Sequence, residues 1–303
     1  MSDLTNFQNQ SVQLLPNVRL LCDEPLSKHT SFKIGGPAEV IVFPESVEQL
    51  SQVLKVSALL DATPVILGAG TNILAPDEGV KGMVICLKDG LRTMEQTDDA
   101  EVYIGSGVSM AKAALFAAGL GLSGMEFAHG IPGSIGGGVY MNAGAYGGEI
   151  SGICKYVDVM DMNGTVCRIP KEEMGFGYRK SCLMGADKIV LGAAFGLTAG
   201  VQEEIRSAMQ DLQQRRRASQ PLDYPSAGSA FKRPVGGYAA ALIDQAGLKG
   251  FRIGGAAVSE KHAGFVINCG GATAADVKAL LAEVSRIVLE KNGIQLEPEI
   301  KFL

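Results

Sequence analysis

The sequence predicts an α+β protein made of two small α/β lobes followed by a third α+β segment, and three observations carry that prediction. Glu39–Phe43 (EVIVF), Val47–Leu60 and Thr63–Leu67 read as strand, amphipathic helix and strand, ending in Gly68-Ala69-Gly70. That order implies a parallel strand pair with a right-handed crossover. A second lobe follows, with a strand at Glu101–Ile104, a helix at Ser109–Ala118 and a glycine-rich run reaching Gly148. From Val201 the pattern changes to one long helix, and Pro221 and Pro225 punctuate the boundary beyond it. The implied divisions are residues 1–90, 91–200 and 201–303.

The remaining elements follow in order. Residues 1–24 are polar and weakly patterned, consistent with a short helix and a lead-in. Val80–Leu87 is a strand. In the second lobe, Tyr156–Asp161 and Thr165–Ile169 flank Asn163-Gly164, a hairpin signal because both turn positions tolerate positive φ. Lys188–Leu197 closes that lobe as a strand. The last third holds an alanine-rich helix (Tyr238–Ala246), strands near Phe251–Val258 and Phe265–Asn268, and a final helix, Ala274–Lys291, ended by Asn292-Gly293.

Composition narrows the function. Glycine contributes 39 of 303 residues, well above the usual roughly 7%, so backbone must pass close to something in several places. The net charge of −5 disfavours a general nucleic-acid surface. The one basic run, Arg215-Arg216-Arg217, reads as the cationic end of a helix. Six scattered cysteines without a Cys-x-x-Cys pair indicate reduced thiols, and three histidines without ligand spacing leave no metal site expected. MSDLTNFQNQ lacks a basic and apolar leader, and the uncharged stretch Phe127–Gly148 is too rich in glycine to span a membrane. A cytoplasmic monomer is the expectation.

Five constellations can carry chemistry. Gly68-Ala69-Gly70-Thr71-Asn72-Ile73-Leu74 follows a strand directly. It is neither a G-x-G-x-x-G fingerprint nor a Walker loop; it is a plain turn or a set of amides converging on an anion such as pyrophosphate. Gly130–Gly148 holds eight glycines in 19 residues, a cost in chain entropy that close passage along an extended ligand would justify. Two such segments in separate lobes suggest a dinucleotide cofactor. Tyr178-Arg179-Lys180-Ser181 reads locally as a surface pair. Pro225–Pro234 places the Ser229 hydroxyl beside Lys232 and Arg233, suited to an anionic substrate, with no elbow or histidine partner for a hydrolase triad. Glu297 and Glu299, two apart on an extended segment, would share a face as an acid pair or stand as solvated edge charges.

The runs HTSFKIGGPAEVIVFP, ILGAGTNIL, HGIPGSIGGGVYMNAGAYG, YRKS, SAGSAFKRP, EKHAGFVIN and LEPEI, in this order from about residue 25 to the end, resemble the UDP-N-acetylenolpyruvoylglucosamine reductase (MurB) family. The resemblance implies a two-lobed FAD-binding domain of the vanillyl-alcohol-oxidase/PCMH type and a C-terminal α+β substrate-binding domain. It implies non-covalent FAD, held by Gly68, Ala69, Gly70, Thr71, Asn72, Ile73 and Leu74 and by Pro132, Gly133, Ser134, Gly136 and Gly137. It implies NADPH as reductant and an enolpyruvyl UDP-sugar as substrate, with hydride reaching the vinyl CH2 carbon by way of the flavin. Arg179, Ser229 and Glu299 look like the catalytic set. Arg179 would stabilise enolate charge bidentately, Glu299 in its acid form would hydrogen-bond the same carboxylate, and Ser229 would protonate the α-carbon, with Lys232 or another cation nearby.

Substrate contacts implied in the same way are Tyr178, Arg179, Lys232, Arg233, Lys261 and His262. Arg233 stands where many relatives carry Asn. The interval between Ser181 and Lys188 has no room for the inserted, tyrosine-bearing loop of some members, so the chain resembles the shorter subtype. His129, beside the second glycine run, raises covalent flavin attachment as the alternative to non-covalent binding. Two other readings stand beside the reductase: another flavoprotein oxidase or dehydrogenase of the same fold, and a catalytically silent UDP-sugar sensor.

Overall fold

The computed structural model describes residues 5–303; Met1–Leu4, the start of the predicted lead-in, lies outside the described residues. The chain forms two compact units. The first comprises residues 1–22, 40–69 and 82–215, and the second comprises 23–39, 70–81 and 216–303. Among the described residues no helix is long and apolar enough to cross a membrane.

The first unit holds two apolar cores. One forms where the helix Val47–Leu59 packs on a four-stranded sheet whose order is Arg19–Pro25, Pro37–Phe43, Val80–Cys86, Val65–Leu67. Leu50, Val53, Leu54 and Ser57 of that helix are buried, at the i, i+3, i+4, i+7 spacing of one helix face. Ser46 caps its start by accepting from Gln49 N–H. The strands at 39–43 and 63–67, expected to pair directly, are not neighbours in the sheet. Val65–Leu67 pairs in parallel with Val80–Cys86, Val65 opposite Val84, and that later strand takes the place between them. The crossover helix skips one strand position, which the alternation of a short segment cannot reveal.

The other core lies under a five-stranded antiparallel sheet, ordered Val166–Pro170, Cys154–Asp161, Lys188–Gly196, Glu101–Gly105, Met94–Asp98. The edge strand Met94–Asp98 is exposed at every residue, so it has no apolar alternation to betray it. The hairpin around Asn163-Gly164 forms, but not with two positive-φ positions. Among the described residues Gly164 has φ +85 and Asn163 is not in the left-handed region. Instead, the Asp161 carboxylate accepts from the amides of Asn163 and Thr165, and Asp161 O accepts from Gly164 N–H. That makes a three-residue loop closed by glycine.

The second unit is built on the antiparallel strands Ser226–Ser229, Phe265–Asn268, Ala256–Val258 and Arg252–Ile253. They are packed by the helices Ala239–Gln245 and Ala274–Asn292 around Val277, Leu280, Leu281 and Val284. The last helix starts with a capping box, Thr273 and Asp276 exchanging hydrogen bonds, and ends at Gly293 with φ +69. Lys301–Phe302 adds a short parallel pairing to Ile73–Leu74.

Candidate active site

In the first unit the two glycine-rich segments meet. A Cβ on Gly68 would stand 2.9 Å from Ser134 Oγ, so the turn after Val65–Leu67 lies directly against the second glycine run. That run is not extended throughout: Ile135–Tyr140 is a short helix, and Ser134 at its N-cap makes no side-chain capping bond. Gly136 N–H donates to Ser106 O, and a Cβ on Gly136 would come within 2.9 Å of Ser106 Cβ. Part of the glycine excess therefore serves close packing of this helix, not ligand approach. Ser106 Oγ and His129 Nδ1 are buried without a hydrogen-bond partner among the described residues. Burial holds the His129 imidazole below its ordinary pKa.

The Tyr178–Ser181 turn is anchored to the same region. Gly177 and Lys180 exchange backbone hydrogen bonds, which puts Tyr178 and Arg179 at the tip. Arg179 has φ +52, a conformation that costs a non-glycine residue on the order of 1–3 kcal/mol and that the surroundings must enforce. Its two terminal guanidinium nitrogens lie 3.4 Å from Gly144 O, and the guanidinium carbon sits 5.3 Å from the Tyr178 ring centre. Asn142, buried and itself at φ +44, donates to Gly177 O and accepts from Ser151 N–H. Ser181 Oγ donates to Tyr140 O at 2.7 Å. Asn142, with Ser181 and Arg179, ties the glycine run to the turn. Its signal in the sequence is an asparagine beside small residues, a side chain suited to a left-handed position.

In the second unit the segments carrying Ser229 and Glu299 run side by side. Glu299 N–H donates to Ala230 O and Lys232 N–H to Glu297 O, each at 2.9 Å. Ser229 pairs with Phe265, and an irregularity between Ser226 and Ser229 includes Gly228 at φ +78. Such a bulge re-aims the side chain that follows it. The Ser229 hydroxyl has no hydrogen-bond partner among the described residues. Glu299 is buried, whereas Glu297 is exposed and ion-paired with Lys232. The two carboxylates thus occupy different surroundings, neither an equivalent acid pair on one face nor two solvated edge charges.

Asn72 joins this group: its Nδ2 donates to Glu299 O at 3.3 Å and its carbonyl accepts from Lys301 N–H at 2.9 Å. Arg233 lies over the Tyr238 ring at 4.5 Å. Lys261 Nζ donates to Arg217 O at 2.6 Å. His262 Nδ1 accepts from Gly264 N–H, and its ring meets Phe265 edge-on at 5.0 Å. By unit, Gly68, Ala69, Pro132, Gly133, Ser134, Gly136, Gly137, Tyr178 and Arg179 belong to the first. Gly70, Thr71, Asn72, Ile73, Leu74, Ser229, Lys232, Arg233, Lys261, His262 and Glu299 belong to the second.

Residues 38–170 match the family model described as an FAD binding domain. The residues present fit that cofactor: Gly68 and Gly137 leave open backbone around the uncapped Ser134, and Ser106 Oγ is buried beside them without a hydrogen-bond partner among the described residues. The fold and site define an FAD-binding oxidoreductase. Residues 220–303 match the C-terminal domain model of UDP-N-acetylenolpyruvoylglucosamine reductase. The reductase of Lachnoclostridium phytofermentans is 45% identical over 98% of each chain, and that of Clostridioides difficile is 44% identical over 96% of each. The crystal structure of the Thermus caldophilus reductase (MurB) is similar at 36% identity and a TM-score of 0.78, covering 94% of this chain and 98% of that one. The chain belongs to the UDP-N-acetylenolpyruvoylglucosamine reductase family.

Proposed function

We propose that this chain reduces UDP-N-acetylglucosamine enolpyruvate to UDP-N-acetylmuramate at the expense of NADPH, in cytoplasmic peptidoglycan precursor synthesis, and that it acts as a monomer. The observation that carries this reading is family membership over nearly the full chain, at 45% identity to a named reductase. The proposed divisions are residues 1–90 and 91–200 for the two cofactor lobes and 201–303 for the substrate domain. Bound FAD would supply hydride, drawn from NADPH, to the enolpyruvyl group. Gly68–Leu74 and Pro132–Gly137 are the proposed holders of the cofactor; the Gly136 amide is engaged by Ser106 O, so the contribution proposed for these segments is that of the remaining amides, which can converge on a diphosphate where a glycine leaves room.

The remaining chemistry belongs to side chains. Arg179, fixed at a strained turn, suits bidentate stabilisation of charge that develops on the substrate carboxylate. Glu299, buried beside the Ser229 strand, would orient the same carboxylate. Ser229 would deliver the proton to the α-carbon, and a hydroxyl without a protein partner supports that role. Tyr178, Arg179, Lys232, Arg233, Lys261 and His262 are the proposed substrate contacts, with Lys261 or His262 the candidate cover for the diphosphate.

Replacing a general acid removes on the order of 10²–10⁴ in rate. Ser229→Ala should therefore still accept electrons from NADPH but lose turnover by that factor, measured by comparing flavin bleaching with steady-state product formation. Unchanged turnover would remove Ser229 from the mechanism.

A further inference from the structure

Ser31, in the run His29–Pro37, is hydrogen-bonded to the strand that carries Ser229. Ser31 donates twice. Its amide goes to Gly70 O at 3.0 Å, and its hydroxyl goes to Ser226 O at 2.6 Å, with Gly70 O a distant second acceptor at 3.5 Å. Ser226 opens the short strand in which the ladder is interrupted before Ser229. A bulged strand is not aligned by continuous pairing, so its direction depends on how its two ends are held. The far end is held by Ala230, whose amide donates to Gly264 O at 2.8 Å and whose carbonyl accepts from Glu299 N–H. The near end is held from the sheet side by the pairing of Ser226 with Ile267 and by the Asn268 N–H on Pro225 O, and from the side of the Gly70 loop by the Ser31 hydroxyl.

Two residues beyond Gly70, Asn72 holds the Glu299 segment through the Glu299 carbonyl and the Lys301 amide. The stretch Gly70–Leu74 is thereby a rail to which both segments are attached, one through Ser31 and the other through Asn72.

We propose that Ser31 is a positioning residue: its hydroxyl pins the start of the bulged strand to this rail and so sets where the Ser229 hydroxyl stands relative to Glu299. The inference rests on the reading of Ser229 as proton donor. Displacement of a reacting group by about 1 Å costs on the order of 10²-fold in rate, so a pin made by one short side chain is enough to matter. The chemistry that depends on it is proton delivery to the substrate and not electron uptake from NADPH.

The test uses the FAD-loaded protein and four variants: Ser31→Ala, Ser31→Thr, Ser229→Ala, and Ser31→Ala combined with Ser229→Ala. Ser31→Ala is expected to keep its FAD and its rate of bleaching by NADPH. Reoxidation by the enolpyruvyl UDP-sugar should slow by about 10- to 100-fold, with an enlarged solvent deuterium isotope effect. Ser31→Thr, which keeps the hydroxyl, should recover most of the loss. The double variant should be no slower than Ser229→Ala, because Ser31 acts only through Ser229. Independently of activity, amide exchange across residues 226–230 should quicken in Ser31→Ala.

Wild-type reoxidation in Ser31→Ala, or a slowing that multiplies that of Ser229→Ala, would overturn the inference while leaving Ser229 in place. Loss of FAD from Ser31→Ala would overturn it too, assigning Ser31 to the cofactor loop through Gly70. A fully active Ser229→Ala would instead remove the reading on which the inference stands.

Discussion

Arg179 and Asn142 hold left-handed backbone conformations a few bonds apart in the same network, and neither could keep them without the hydrogen bonds that surround it. The sequence marks Arg179 only through its family motif; locally it is one more arginine beside a tyrosine. His262 is legible as a candidate for substrate contact, but the structure gives it protein partners. The Gly264 amide donates to its Nδ1, an arrangement available only while Nδ1 carries no proton. Burial pushes its pKa below the ordinary histidine value. As pH falls, the unfolded chain takes up this proton before the folded one does. The stability it contributes is therefore complete above about pH 6.5 and is lost as pH drops toward the lower folded value. His129 adds an effect of the same sign. The melting temperature should fall as pH is lowered from about 7.5 to 5.5, and His262→Gln should flatten part of that slope. An unaltered slope in the variant would show that His262 is not the group responsible.

At the scale of elements, the long helices are readable from their periodicity and their ends. The last one shows why: its capping box and its Gly293 stop are written in consecutive residues. Strand partnership was less readable, because Val65–Leu67 shows its own apolar character but not that Val80–Cys86 will lie beside it. The glycine run concealed a helix for a related reason. Gly136 and Gly138 carry no periodic signal, and their purpose, contact with Ser106 and Met110, exists only after folding. Glycines in this lobe accordingly divide into those that packing requires and those it does not. A Cβ on Gly107 would stand 1.7 Å from Gly90 O, whereas a Cβ on Gly152 would meet nothing within 4 Å. Gly107→Ala should destabilise by about 3 kcal/mol or more. Gly152→Ala should be neutral or stabilising by up to about 1 kcal/mol, since its φ is not in the left-handed region. Urea unfolding of both variants decides this; equal losses would contradict the division.

At the scale of the molecule, the acidic net charge disfavours a general nucleic-acid surface and the glycine count points to close backbone–ligand approach. The motif order along the chain pointed to the reductase family, and near-full-length relatives bear that membership out. What the linear order could not give was the way Ser229 and Glu299, 70 positions apart, come to share a backbone ladder, nor the way Asn72 and Ser31 hold it. Such contacts join residues with no periodic relation, so only the folded chain exposes them. The most direct measurement is NADPH oxidation by the purified, FAD-loaded protein with and without the enolpyruvyl UDP-sugar, followed alongside oxygen. Oxidation that starts only when the sugar is added, consumes it mole for mole and draws no oxygen is the expected result. Oxidation that proceeds at the same rate without the sugar, with oxygen consumed, would contradict the reductase reading and identify an oxidase on the same fold.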